Sequence, residues 1–246
     1  MEQDFALIVL VGFAAQMVDG ALGMAYGVTS TTFLLSMGIP PAAASASVKA
    51  AEVVTTAISG TSHLRLGNVR SALLRKLLIP GMVGSALGAY ILTAVPGDVI
   101  KPIVSAYLAL MGAVILWKAF SRIAEREVTT AVAPLGFVGG FCDAIGGGGW
   151  GPIVTTTLVA RGNHARFTIG TVNLAEFFVT LVASVTFVLT IGLVHWQVIL
   201  GLMLGGAVAA PLAARVCRRV PSRPLMVLVG VLITVISMRT LILELV

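Results

Sequence analysis

Of the ten acidic residues in this 246-residue chain, four lie inside or beside long apolar stretches: Asp19, Glu52, Asp143 and Glu176. The other six, Glu2, Asp4, Asp98, Glu125, Glu127 and Glu244, fall at the ends of the chain or between apolar runs. A charge at the centre of a bilayer costs about 2.5–3.5 kcal/mol on insertion scales, so four against lipid would cost on the order of 10 kcal/mol. Their placement therefore predicts that all four face the protein interior, where a carboxyl group can carry a proton or another cation. Each also has a structural reading. Glu52 and Glu176 could lock neighbouring serine, threonine or lysine side chains, and Asp19 and Asp143 could accept backbone N–H bonds at a helix start. Lys49, three residues before Glu52 and on the same helical face, could neutralise that glutamate or hold an anion.

These residues recur at one spacing. Adding 124 maps "DGALGMAYGVTSTTFLLSMG" (19–38) onto "DAIGGGGWGPIVTTTLVARG" (143–162), and "SVKAAE" (47–52) onto "TVNLAE" (171–176). Ten of the 34 positions from 19 to 52 are identical to their mates without a gap, among them both acidic pairs. That is an internal duplication, giving a first repeat over residues 1–124 and a second over 125–246. Lys49 has Asn173 as its mate, so the two half-sites differ in charge.

In each repeat the aspartate precedes a glycine-rich break. The second is the fuller one, Gly147, Gly148 and Gly149 followed by Trp150; the first offers Gly23, Gly27 and Tyr26. Backbone left unpaired by such a break is tolerated at membrane depth only where it is buried in protein or lines a cavity. Glycine also allows close approach to a ligand. A helix restarting after the break, with Pro152 in its first turn, presents free N–H groups and a positive dipole end to an anion. Thr31, Thr32, Thr155 and Thr156, together with Ser47, Thr171 and Asn173, supply further donors, although threonines in membrane helices often bond only their own backbone. Tyr26 and Trp150 either gate the site or simply pack.

The elements that must position these groups are membrane spans. The chain is 58% hydrophobic and 11% charged, with a mean hydropathy of +1.03. Apolar runs of bilayer-spanning length recur at 42–62, 77–95, 99–117, 167–191, 196–214 and 225–238. The start is acidic and does not resemble a cleaved signal peptide. Thirteen of the 16 basic residues sit in loops 63–76, 118–126, 161–166 and 215–223, which the positive-inside rule makes cytoplasmic. The equivalent loops 63–76 and 192–197 then lie on opposite faces, so the repeats have inverted topology, and both chain ends are periplasmic. Segments 5–38 and 130–161 must each begin and end on one side. Their arms of about 14 apolar residues reach roughly 21 Å, short for a ~30 Å core, which predicts a re-entrant or broken helical hairpin. Two tilted short crossings keep the same parity.

The fold class expected is therefore an all-α membrane protein of two inverted-topology repeats, each a broken or re-entrant helical hairpin plus three transmembrane helices. His63, His164 and His195, with Cys142 and Cys217, have no metal or catalytic spacing. The run "GGGGWG" lacks the Lys-Ser/Thr of a nucleotide loop. No enzymatic activity, cofactor, metal or nucleic acid is expected.

The second repeat, "GFCDAIGGGGWGPIVTTTLVARG" with "GTVNLAEFF", and the first, "MGIPPAAASASVKAAEVVTTAISGTSHLRLGNV", resemble the TauE/SafE family over about residues 8 to 240. The resemblance implies a permease of the bacterial cytoplasmic membrane for sulfur-containing anions, sulfite or an organosulfonate, with glycine-rich breaks in both repeats. The expected substrate-binding residues are Gly23, Thr31, Thr32, Lys49, Gly147, Gly148, Gly149, Trp150, Thr155, Thr156 and Asn173. Glu52, Glu176, Asp19 and Asp143 are the expected coupling groups, with protons as the candidate ion. A small anionic substrate and lipid are the partners, and a homodimer is allowed. An anion channel of the same architecture, and a membrane-embedded enzyme or assembly factor, stand as alternatives.

Overall fold

The structure, a computed structural model, describes residues 2–120, 130–161, 163–216 and 222–245. Glu125, Glu127, Arg122, Arg126, Gly162, Cys217, Arg218 and Arg219 lie outside the described residues. The described residues form helices joined by short turns, with no strand among them. Five helical stretches are long and apolar enough to cross a membrane: Phe5–Leu22, Ser71–Ala94, Val99–Phe120, Arg166–Thr190 and Trp196–Ala213.

The first hairpin consists of α1 (Glu2–Leu22), an elbow at 23–25, and α2 (Tyr26–Ser36). Three longer helices follow: α3 (Pro41–Arg65), α4 (Ser71–Ala94) and α5 (Gly97–Phe120). The second hairpin has α6 (Val132–Gly146), an elbow at 147–149, and a π-helical turn over Trp150–Thr155 that runs into α7 (Thr156–Ala160). It too is followed by three long helices, α8 (Ala165–Thr190), α9 (Trp196–Val216) and α10 (Ser222–Leu245).

Both descending arms stop at a glycine. Gly23 (φ +67°) and Gly147 (φ +65°) take the left-handed conformation that ends a helix with little strain, and they are repeat mates. The first arm is longer than its apolar run predicts. Glu2 to Asp4 join the helix and Gln16 and Asp19 do not interrupt it, so α1 has 21 residues, roughly 31 Å, which is the length of a crossing. The second arm keeps the expected short form at 15 residues. The π turn after the second elbow was not legible from sequence; such turns gather at functional sites.

The helices pair across the two halves of the chain. The main packings are α1 on α9, α4 on α6, α5 on α10 and α3 on α8. The pairs α1/α9 and α6/α4 are equivalent under the sequence offset, and α3/α8 and α5/α10 each join a helix to its own mate. The packing thus repeats with the period of the sequence. Small residues permit these approaches, as expected where lipid supplies no hydrophobic drive between helices. A Cβ at Gly84 would collide with the carbonyl of Phe137, and one at Gly140 with the carbonyl of Gly81, so α4 and α6 touch backbone to backbone.

Candidate functional site

The two elbows cross in direct contact. A Cβ built on Gly27 would strike the carbonyl oxygen of Gly147, and one on Gly148 would strike the backbone of Gly27 and Val28. A Cβ on Gly151, the mate of Gly27, would lie 2.4 Å from Cα of Met24 and 2.6 Å from the carbonyl oxygen of Gly23. In this conformation the glycines give clearance for a backbone crossing, where the sequence alone suggested a ligand cradle.

Two reciprocal hydrogen bonds tie the crossing. Thr31 Oγ1 donates to the carbonyl of Gly147 at 3.0 Å, and Thr155 Oγ1 donates to the carbonyl of Gly23 at 2.8 Å. These carbonyls are among those freed when α1 and α6 end. The aromatic mates beside the breaks are pinned too, although to acceptors that are not mates. Trp150 Nε1 donates to Val172 O at 3.1 Å and its ring lies on Gly81; Tyr26 Oη donates to Leu202 O at 3.1 Å and its ring lies against Gly206. Both are fully buried, which is the packing role weighed for them.

Asp143 performs the capping considered for it. Its Oδ1 accepts from the N–H groups of Gly149 (2.9 Å) and Trp150 (3.1 Å), two donors of the restarting helix. Asp19 Oδ1 accepts more weakly from Tyr26 N at 3.5 Å. Ala25, where the second elbow has Gly149, is held at φ 100°, so the first elbow carries strain that the second avoids.

The other Asp143 oxygen does something the sequence did not show. Oδ2 lies 2.6 Å from Lys49 Nζ, and the same ammonium lies 2.5 Å from Glu52 Oε2. The i, i+3 pairing within α3 was expected, whereas the bridge from α3 to the second elbow was not. Carboxyl oxygens of Glu52, Asp143 and Glu176 all lie within 4.8 Å of one another. Asp19, at the other elbow, is the fourth buried carboxyl. All five groups are buried, with Lys49 at 0% exposure and Glu176 the most open at 3%. Among the described residues, Oε2 of Glu176 and Oδ2 of Asp19 have no hydrogen-bond partner. Four carboxyls and one ammonium leave up to three negative charges in excess, a balance that protons or another cation can relieve.

The α3/α8 crossing sits one turn below. The hydroxyl oxygens of Thr56 and Thr180, exact mates, are 3.5 Å apart, and they donate back to the carbonyls of Glu52 and Glu176. Asn173 is drawn elsewhere, accepting from Ser59 at 2.8 Å and donating to Ile169 O at 3.0 Å. Thr32 meets Ser237 at 3.4 Å, while the Thr156 hydroxyl is buried with no partner among the described residues. Ser47 bonds back to Ala43 O; Thr171 bonds back to Phe167 O and accepts from Arg70 N.

Three contributors were not legible in sequence. Tyr107 on α5 donates to Gly148 O at 3.2 Å, Ser45 on α3 donates to Ala144 O at 2.7 Å, and Lys118 Nζ on α5 lies 4.0 Å from Met24 Sδ in the first elbow. No spacing relates any of these to the elbow it serves. The one available hint was that Tyr107 is a polar group in the apolar run 99–117; Lys118 falls just past that run, in a segment the sequence assigns to a basic loop.

The family described as sulfite exporter TauE/SafE matches residues 8–240. Among curated relatives, the probable membrane transporter protein YtnM of Bacillus subtilis (strain 168) is 44% identical, the match covering 95% of this chain and 81% of the relative. No solved structure matches the chain.

Proposed function

The chain belongs to the sulfite exporter TauE/SafE family of membrane transporters, and from that premise we propose that it is a secondary transporter moving a small sulfur-containing anion, sulfite or an organosulfonate, across the bacterial cytoplasmic membrane. Protons are the coupling ion in this reading. The observation that carries it is the dry cluster of Glu52, Asp143 and Glu176 around Lys49, joined through Asp143 to the elbow itself, with Asp19 buried at the other elbow. A buried set of carboxyls repels an anion while ionised and tolerates it once protonated, so proton uptake and anion entry favour each other.

The repeats are taken to have opposite orientation, with both termini periplasmic, an arrangement that places substrate between repeats near the midplane in many secondary transporters. Since the elbows touch in this conformation, the anion enters when they part. It then meets Lys49, the elbow N–H groups of Gly148, Gly149 and Trp150, and the hydroxyls of Thr31, Thr32, Thr155 and Thr156. Parting the elbows breaks the two reciprocal threonine bonds, which stabilise the closed crossing.

The test is uptake into proteoliposomes of purified protein, with sulfite, sulfoacetate, taurine, sulfate and carboxylates offered in turn. A proton gradient opposed to the substrate gradient should drive accumulation of a sulfur oxyanion. Flux that only ever runs downhill would mean a channel and would end the coupled reading. Accumulation of a carboxylate alone would end the substrate assignment.

A further inference from the structure

We propose that Glu52, Asp143 and Glu176 form a cation-binding site whose resident cation is the chain's own Lys49 ammonium, and that removing this ammonium opens the place to a small inorganic monovalent cation such as sodium. The proposal deepens the transporter reading by assigning the cation at the centre of the coupling cluster. Its test reads binding and not transport, so either reading can fail while the other stands.

Three carboxylates from three helices, α3, α6 and α8, converge with oxygens no more than 4.8 Å apart. Hard monovalent and divalent cations are held by this kind of oxygen set. Two of the three oxygens already grip a cation: Lys49 Nζ lies 2.5 Å from Glu52 and 2.6 Å from Asp143. The third, Glu176, is 97% buried and its Oε2 is without a partner among the described residues, although it belongs to the same cluster. An ammonium is a compact point charge with three donors, and two of them account for the ion-pair contacts. The site therefore contains a third, unused ligand.

The lysine is fixed there by its place in the chain. Lys49 and Glu52 lie at i and i+3 on α3, so the ammonium is tethered beside its first ligand at high effective concentration. A free cation would have to displace a tethered one of equal charge. The intact protein should accordingly be indifferent to which alkali cation surrounds it. In the second repeat the position equivalent to Lys49 is Asn173, which faces Ser59 and Ile169 and supplies no charge. The cluster thus has a single tethered cation, and its removal leaves the carboxylates with none among the described residues.

The experiment uses the full chain purified in detergent, with thermal unfolding followed as sodium chloride replaces N-methylglucamine chloride at constant ionic strength. For Lys49→Ala, Tm should rise saturably with sodium, by on the order of 5 °C at saturation, while the unsubstituted protein and Lys49→Arg stay flat. Should Lys49→Ala not survive purification, Lys49→Ala combined with Glu176→Gln restores the starting net charge and keeps the two carboxylates that grip the ammonium. The same sodium-specific rise is expected there. Absence of a sodium-specific rise in the variant that survives overturns the proposal, as does an equal rise in the unsubstituted protein.

Discussion

Thr31 and Thr155, 124 residues apart in sequence, each donate a hydroxyl hydrogen bond to the elbow carbonyl of the opposite half of the chain, at 3.0 Å to Gly147 and 2.8 Å to Gly23. Donors and acceptors alike are repeat mates. The relation gives one threonine of each threonine-bearing stretch after an elbow a partner on the opposite elbow. Thr31→Val and Thr155→Val should each lower stability by about 0.6–1.7 kcal/mol, the range found for hydrogen bonds between membrane helices. Thermal unfolding in detergent checks this, and the two losses should be similar. A large loss at one position with none at the other would show that the two bonds are not equivalent.

Glycines in this chain do two different jobs, and alanine separates them. At Gly148 a Cβ would collide with the backbone of Gly27 and Val28, where nothing flexible can give way. Gly148→Ala should therefore prevent the elbows from closing and cost more than 3 kcal/mol, on the scale of severe overpacking. Gly192, at φ +72° with nothing within 4 Å of a built Cβ, should cost only about 1–2 kcal/mol for left-handed strain. Comparing Tm and the yield of folded protein for the two variants decides it, and equal damage would contradict the elbow contact.

Asp143 serves the elbow with one oxygen and Lys49 with the other. Lys49→Met strands the Glu52 and Asp143 carboxylates in a dry interior and should cost about 3–5 kcal/mol. Adding Asp143→Asn should recover part of that loss. The amide oxygen can still accept from Gly149 and Trp150, while one of the two uncompensated charges is gone. Thermal unfolding of the single and double variants measures the recovery; a double variant less stable than Lys49→Met would show that capping needs the full carboxylate.

Much of this arrangement was legible in the sequence because its signals are local or periodic. A carboxyl in an apolar run is conspicuous by its cost, and the offset of 124 marks the mates whatever the fold does with them. The elbows at Gly23 and Gly147, the three long helices after each hairpin, and the pairing of Lys49 with Glu52 all follow from such signals. The reach of Lys49 to Asp143, the support of Gly148 by Tyr107 and the unbroken length of α1 do not, because each depends on which helices pack together. The glycine run shows the limit most clearly. Lack of a side chain suits close approach to an anion and close approach to another backbone equally well, and only the fold shows that Gly27 and Gly148 meet each other.

Glu52 and Glu176 are mates placed one turn from the Thr56–Thr180 contact, within the buried carboxyl cluster. Glutamine keeps the shape and hydrogen-bonding capacity of glutamate while abolishing its charge change. In proteoliposomes the unsubstituted protein should accumulate sulfite or an organosulfonate faster as the pH falls on the side from which protons enter. Each added proton removes one of the charges that repel the anion. The Glu52→Gln, Glu176→Gln double variant should lose that pH dependence, and with it accumulation against a gradient, while anion-dependent thermal stabilisation persists. Binding is preserved because Lys49 and the threonines are untouched; coupling is lost because two of the four exchangeable charges are gone. A double variant whose uptake follows the same pH profile as the parent would remove these glutamates from the coupling step and leave them a purely structural part in the α3/α8 crossing.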